Sequence, residues 1–332
     1  MTVEFTVFKG SANTGIVKST TRHAPPTGNQ VQVRITHSGV CGTDEHYKHL
    51  DMVLGHEGVG IVEQIGDSVK DLQVGDVVGW GYVHKVCGRC EECSHGEDQY
   101  CSTKEEYGLA NQHQGSFGSR AIWDADILFK IPAGLKPEHA APLMCAGATI
   151  FGVLESFNVR PTDRVGVVGI GGVGHMAILF LAKMGASVVV FSSTESKRGE
   201  ALRLGASEFH STAGADKFDV APVDHLIVAT SFLPNWEPYM QVVKRRGTIY
   251  PLTLSFDNLL IPQYPLLARG LNVQGSIVAS RSVLKHMLDF SARNQIKPVI
   301  ECFPLTKSGI EESMARLGEG KIRYRAVLVA EC

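Results

Sequence analysis

Four cysteines crowd into one short stretch of the chain: Cys87, Cys90, Cys93 and Cys101. Tetrahedral zinc takes four soft ligands of this kind, and cysteines spaced so closely let a single loop wrap around one ion. With thiolate in every position the ion keeps no open site for substrate, so the spacing predicts a structural zinc. The other use of such a cluster is a zinc-ribbon module for nucleic acid. Its neighbours here, Glu91, Glu92, Glu97, Asp98, Glu105 and Glu106, are acidic and would repel a phosphate backbone. Thiols left reduced and unliganded on a loop are the plainer reading, and four at so tight a spacing speak against it.

A second constellation is built on glycine. An apolar run, Val165-Gly166-Val167-Val168, meets Gly169-Ile170-Gly171-Gly172-Val173-Gly174, and an apolar stretch from His175 to Ala182 follows without a break. Gly169, Gly171 and Gly174 fit G-x-G-x-x-G, in which the first glycine makes the turn, the second lets a pyrophosphate approach the backbone and the third packs helix on strand. A strand before it, a helix after it and a second β-rich run at Ser187–Phe191 supply the context that the pattern needs. The phosphates would lie at a helix N-terminus, over unpaired N–H groups. A membrane span is the competing reading of this nearly uncharged run. Five glycines and a histidine, bounded by Arg164 and Lys183, fit a buried strand and helix better. A βαβ unit without ligand is the other alternative.

The end of the second run bears on which dinucleotide. An NAD site places Asp or Glu there to bind the ribose 2′-hydroxyl. This chain has Ser192, Ser193 and Thr194, then Glu195, with Lys197 and Arg198 close behind. Small hydroxyls and two cations suit a 2′-phosphate, so the charge pattern predicts NADP(H), and with it carbonyl reduction. Glu195 is the rival reader of the ribose, and Ser/Thr followed by Glu also reads as a helix cap.

Two shorter pieces carry further ligand types: Gly39-Val40-Cys41-Gly42-Thr43-Asp44-Glu45-His46 and Leu54-Gly55-His56-Glu57-Gly58. Pro142-Leu143-Met144-Cys145-Ala146-Gly147 holds another cysteine. Singly, each has a bland reading. Buried cysteine is a common small core residue, Gly-His-Glu fits an ordinary turn, and His46 fits a polar surface, as His49 does.

These residues need elements to hold them. At 332 residues the chain has room for about two domains, each with its own core. Charged residues make up 20% and the net charge is −2, which offers no attraction for nucleic acid or an anionic membrane. The N-terminus lacks the pattern of a signal peptide, which points to a soluble cytoplasmic protein, where eight cysteines favour metal over disulfides. Residues 1 to about 37 alternate apolar and polar, with a turn at Pro25-Pro26-Thr27-Gly28, and read as antiparallel strands. Further strands are expected at Ile61–Ile65 and Val77–Val78, and strand-like alternation over 115–131. A short helix is expected over Pro137–Cys145 and another from Thr149 to Phe157. Beyond the glycines, Leu226–Ala229 and Gly247–Tyr250 continue a βα alternation. From Arg281, Val283, Leu284, Met287 and Leu288 line one helical face, and Ala326–Ala330 is strand-like. The expected fold is α/β: a β-rich domain over 1–148 with the cysteine lobe at about 84–104, a doubly wound parallel-sheet domain over 149–280, and a segment, 281–332, that returns to the first.

In combination, Gly-Val-Cys41-Gly-Thr-Asp, Gly-His56-Glu57, the four-cysteine lobe and Cys145 ahead of a glycine-rich nucleotide fold resemble the zinc-containing medium-chain alcohol dehydrogenases. Gly-Ile-Gly-Gly-Val-Gly-His-Met and Ser192-Ser193-Thr194 are similar to the cinnamyl-alcohol-dehydrogenase-like branch. The resemblance spans essentially the whole chain and implies a GroES-like catalytic domain and a Rossmann domain. It implies a catalytic zinc on Cys41, His56 and Cys145, the fourth position being left to water, substrate oxygen or Glu57; three protein ligands and one exchangeable position is what such a zinc requires. Asp44 would orient His56, Thr43 would hydrogen-bond the substrate oxygen, and His46 would pass the proton on through the cofactor ribose. Thr149 and the turn at Ile277 would flank the nicotinamide, with Gly172 and Val173 in the phosphate loop. The implied activity is hydride transfer between NADP(H) and an aldehyde or alcohol, with two zinc ions per chain and a homodimer.

The stretch between Asp44 and His56 is shorter than the family usually carries, which leaves room for a wide or open site; Trp80, Tyr82, Trp123 and Ile277 are candidate pocket residues, and the sequence does not set the pocket's shape. Cys302 and Cys332 have no assigned role. The rivals are reduction of an iminium or conjugated C=C bond on the same scaffold, against which the Thr43–His46 relay argues, and a non-catalytic NADPH-binding protein, against which the metal ligands argue.

Overall fold

A computed structural model describes residues 2–331. The chain divides into two compact units, one running up to Ala148 and resuming at Ala279, the other being Thr149–Val278.

The first unit is organised on a mixed sheet. Its order is Ile300–Pro304, Arg325–Val329, Gln30–Val40, Gly58–Ile65, Val77–Trp80, Phe129–Lys130, with Arg120–Asp124 also pairing with Gln30–Val40. Alternation along Gln30–Val40 turns Val31, Val33 and Ile35 inward, where they meet Val62, Val78, Trp80 and Trp123 in one core cluster. The late strand Arg325–Val329 lies antiparallel to Gln30–Val40, placing Ala326 opposite Val40. That pairing carries the C-terminal segment to the residues just before Cys41. Helix Arg281–Arg293 buries Val283, Leu284, Met287 and Leu288, the face expected from their spacing.

Pro137–Pro142 is helical, but the next five residues, Leu143–Gly147, form a π-helical turn rather than more α-helix. Such a turn, common at functional sites, re-aims the side chains it carries, here that of Cys145.

The second unit holds a parallel sheet of six strands in the order Glu208–Ser211, Ser187–Ser192, Arg164–Val168, Val223–Val228, Val243–Pro251, Asn272–Val273. Numbered along the chain this is 3-2-1-4-5-6, the doubly wound order of a dinucleotide-binding sheet. Arg164–Val168 lies at its centre and is buried from Val165 to Val168. Helix Gly174–Met184 follows the glycine turn, so the apolar run is strand, turn and helix; no helix among the described residues is long and apolar enough to cross a membrane.

Candidate active site

Cys41 follows strand Gln30–Val40 and caps the six-residue helix Gly42–Tyr47. The helix starts here because Asp44 reaches back: its Oδ2 accepts from the Cys41 backbone N–H at 2.8 Å. The other carboxylate oxygen, Oδ1, accepts from the Tyr107 hydroxyl at 2.8 Å and the Gly55 N–H at 3.2 Å, and lies 3.1 Å from His56 Nδ1. Asp44 and His56 are wholly buried. With Nδ1 committed to a carboxylate, the ring turns Nε2 away, and Nε2 is buried without a hydrogen-bond partner. An orphaned imidazole nitrogen of that kind fits a metal ligand.

Ligand atoms of Cys41, His56, Glu57 and Cys145 all lie within 4.8 Å of one another. Their electrostatics suit a cation. Burial disfavours charge on His56, yet the Asp44 carboxylate and Cys41 outweigh it and hold the imidazole well above its ordinary pKa. A bond from the Cys145 thiol holds Cys41 well below the usual thiol range despite burial, while the same contact pushes Cys145 up. The site therefore favours positive charge among two sulfurs and Nε2, which a divalent ion would supply while both thiols deprotonate.

Glu57 is the least simple of the four. It is fully buried and forms an ion pair with Arg325, whose guanidinium is buried as well. Burial raises the Glu57 carboxyl to about 7 against the opposing pull of Arg325, and Arg325 is held above its ordinary range because Glu57 outweighs its own burial. One oxygen, Oε2, has no partner. Thr43 sits with its hydroxyl 3.7 Å from Cys41 Sγ, and His46, on the same helix, is exposed. Tyr82 stands edge-on to His56, ring centroids 5.8 Å apart. Trp80 and Trp123, named as candidate walls, are 0% and 3% exposed and pack with Val31, Val33 and Ile35 in the core of the sheet.

Cys87, Cys90, Cys93 and Cys101 form the second group of close ligand atoms. Backbone N–H groups point at their sulfurs: Cys90 and Arg89 at Cys87 Sγ (3.3 and 3.5 Å) and Cys87 at Cys101 Sγ (3.4 Å). The N–H groups of Arg89 and Cys90 pull the Cys87 thiol down to about 6, which favours thiolate at that sulfur, while Cys90 and Cys93 are shifted upward. Asp98 in the same lobe accepts from the Arg281 backbone and side chain at 2.9 and 2.6 Å, which anchors the start of helix Arg281–Arg293.

In the second unit, Gly169 has φ +91°, open to glycine at little cost, and a Cβ on Gly174 would come within 1.9 Å of the Gly169 carbonyl oxygen. A Cβ on Gly171 would meet nothing within 4 Å, so the turn is open on that side; Gly172 and Val173, half-buried, lead into helix Gly174–Met184. Ser192 is buried at the strand end, and Ser193 and Thr194 are exposed. The two cations are less free than their sequence position suggests. Lys197 Nζ donates to the Ile170 carbonyl at 2.8 Å, and Arg198 bonds Glu195 at 2.5 Å and the Phe209 carbonyl at 2.9 Å. The Arg198 pair neutralises Glu195, the rival reader of the ribose. Thr149 is partly buried and Ile277 exposed, both in this unit. Cys302 is exposed, and Cys332 lies outside the described residues.

Sequence reasoning did not find Arg325 or Tyr107. Arg325 sits 268 residues from Glu57 with no motif around it, and Tyr107 follows the cysteine lobe as one tyrosine among eight.

Residues 27–133 match the family model described as alcohol dehydrogenase GroES-like domain, and residues 172–293 the model described as zinc-binding dehydrogenase. The chain is 33% identical over 309 residues to an aldehyde reductase of Synechocystis sp., covering 90% of this chain and 91% of that protein. It is 31% identical to NADP-dependent alcohol dehydrogenase C 1 of Mycolicibacterium smegmatis, covering 96% and 95%. Among solved structures, a cinnamyl alcohol dehydrogenase of Sorghum bicolor superposes with a TM-score of 0.90 at 29% identity over 98% of both chains. A Helicobacter pylori CAD complexed with NADP(H) gives a TM-score of 0.90 at 25% identity over 99% of both.

Proposed function

The chain belongs to the zinc-binding dehydrogenases that carry an alcohol dehydrogenase GroES-like domain, and from that premise we propose that it is an NADP(H)-linked alcohol dehydrogenase working as an aldehyde reductase. The observation that carries this reading is the convergence of Cys41, His56 and Cys145, with Glu57 behind them, around an unpartnered His56 Nε2. These residues would hold a catalytic zinc, and Cys87, Cys90, Cys93 and Cys101 a structural one.

When bound, the zinc supplies a Lewis acid for the substrate oxygen and the reduced nicotinamide supplies hydride for its carbon. The protein's own groups prepare and complete that exchange. Asp44 keeps a proton on His56 Nδ1, so the ring presents Nε2 as a lone pair. Thr43 Oγ1, beside Cys41, donates a proton toward the substrate oxygen as charge develops there, and the exposed His46 takes up and returns protons to solvent. Arg325 neutralises Glu57, so the site does not carry an uncompensated carboxylate next to two thiolates.

The Gly169–Gly174 turn and its helix would bind the pyrophosphate. Preference for NADP(H) is supported by the hydroxyls of Ser192, Ser193 and Thr194, by the lack of a carboxylate at the strand end and by neutralisation of Glu195, with Lys197 and Arg198 at the rim of the same site. The M. smegmatis relative is named NADP-dependent, which points the same way. The substrate is a small-molecule aldehyde, the product its alcohol. Self-association is part of the proposal: Phe232, Phe256, Leu260, Tyr264 and Leu267 are each more than two-thirds exposed, and Asn272–Val273 leaves an open edge on the parallel sheet.

Metal analysis of the purified protein is expected to give two zinc ions per chain, and a panel of aromatic and aliphatic aldehydes is expected to consume NADPH faster than NADH. Cys41→Ser should abolish turnover while leaving the lobe's ion in place. Undiminished turnover of that variant would overturn the assignment.

A further inference from the structure

The four-cysteine lobe and the His56 centre share a residue. Tyr107 lies just beyond the short strand Glu105–Glu106, which pairs with Val83–Lys85, and its own backbone N–H donates to the Tyr82 carbonyl at 2.9 Å. Six residues earlier in the chain is Cys101, the last cysteine of the lobe. From that root the side chain runs inward and is 1% exposed. Its hydroxyl donates to Asp44 Oδ1 at 2.8 Å and accepts from the Gly55 N–H at 3.0 Å. Its ring lies over the His56 imidazole, centroids 4.6 Å apart at 31°. Tyr47 meets Tyr107 edge-on at 5.4 Å and Tyr82 meets it at 6.3 Å, so the phenol is held on both flanks.

Each contact constrains one degree of freedom of His56. The hydroxyl fixes the carboxylate oxygen that accepts from Nδ1, the Gly55 bond fixes the backbone one residue before the histidine, and the ring face limits rotation about χ2. A carboxylate that orients a ligating imidazole is itself effective only where something holds it, and loss of such an outer partner costs metal affinity.

We propose that Tyr107 is a positioning residue of the His56 centre and the strut through which the four-cysteine lobe governs how tightly that centre holds its ion. The inference rests on the reading that Cys41, His56 and Cys145 ligate a metal. It gives the lobe a task beyond its own stability. When Cys87, Cys90, Cys93 and Cys101 are tied to an ion, the chain leaving Cys101 has a fixed origin and Tyr107 reaches Asp44 in register. When they are not, the short pairing of Glu105–Glu106 with Val83–Lys85, two residues long on one side, and the Tyr107 N–H bond to the Tyr82 carbonyl are left to hold the strand that carries Tyr107.

The test uses the full-length metal-loaded protein. Tyr107→Phe keeps the ring and deletes the hydroxyl, so chelator competition should show the His56 centre releasing its zinc about tenfold more readily while the lobe retains its own. The cobalt-loaded variant should show a displaced visible band for the two-sulfur centre, which a loss of packing elsewhere would not produce. Cys93→Ser, which disables the lobe from a distance, should loosen the His56 centre to the same degree, and the double variant should be no worse than the single ones. Parental affinity and an unshifted band in Tyr107→Phe would overturn the proposal, as would a His56 centre indifferent to Cys93→Ser. Absence of carbonyl turnover by a parent protein holding two ions would defeat the functional reading and leave this inference standing.

Discussion

Arg325 and Glu57 offer the sharpest test of the site's electrostatics, because both are buried and each is the other's counter-charge. Arg325→Met removes the guanidinium and roughly keeps the volume. It leaves a carboxylate in a site that already holds two cysteines, and breaking a buried ion pair from one side costs about 3–5 kcal/mol. At about 2–4 °C per kcal/mol for a unit of this size, the melting temperature should fall by about 10 °C. The pH dependence follows from the raised Glu57 pKa. In the folded protein Glu57 titrates at about 7 against 4.5 when unperturbed, so between those values the folded state binds the extra proton. Glu57 thus costs no stability below about 4.5; its cost grows between about 4.5 and 7 and is constant above that. Arg325 holds that cost down by favouring the carboxylate. Without it the Glu57 pKa climbs further, so the penalty in Arg325→Met is larger at pH 8 than at pH 5.5, where the carboxyl carries its proton. Adding Glu57→Gln removes the stranded charge and should recover much of the loss at pH 8. Calorimetric melts of the parent, the single and the double variant at both pH values decide it. A single variant melting within about 2 °C of the parent, or a double variant no better than the single, would refute the reasoning.

Cofactor choice and the glycine turn can be probed as directly. Ser192→Asp puts a carboxylate at the strand end, where it repels a 2′-phosphate and can accept from a 2′-hydroxyl; the ratio of kcat/KM for NADPH over NADH should drop by about 10–100-fold, equivalent to about 1.4–2.8 kcal/mol. An unchanged ratio would remove the 2′-phosphate from this end of the strand. In Gly174→Ala the new methyl would sit 1.9 Å from the Gly169 carbonyl oxygen, forcing helix from strand at about 1–3 kcal/mol; weakened NADPH binding by fluorescence titration, with both ions retained, is the expected result.

Much of this molecule could be read from short-range pattern. The glycine spacing, the four-cysteine spacing and the period-two alternation of Gln30–Val40 are local signals, because turn geometry, chelation by one loop and the facing of a pleated strand are each decided within about fifteen residues. The apolar helical face after Arg281 belongs to the same class. Cys41, His56 and Cys145 stood out only through a likeness of several motifs together, since each alone passes for core or turn.

What required the folded chain is whatever depends on pairing across long separations. Arg325 reaches Glu57 because a strand near the end of the chain lies antiparallel to Gln30–Val40, and nothing near Arg325 in sequence announces that register. Tyr107 meets Asp44 and His56 from a different segment, through side-chain contacts that carry no periodicity. Trp80 and Trp123 pass for pocket walls by residue type, but the facing of their strands puts them in the core. Lys197 and Arg198 have the right charges at the right distance from the glycines, and only the fold shows that Ile170 and Glu195 already engage them. Residue type and spacing determine which chemistry a site can hold; which groups are close enough to share charge, and at what cost in burial, is a property of three-dimensional packing alone.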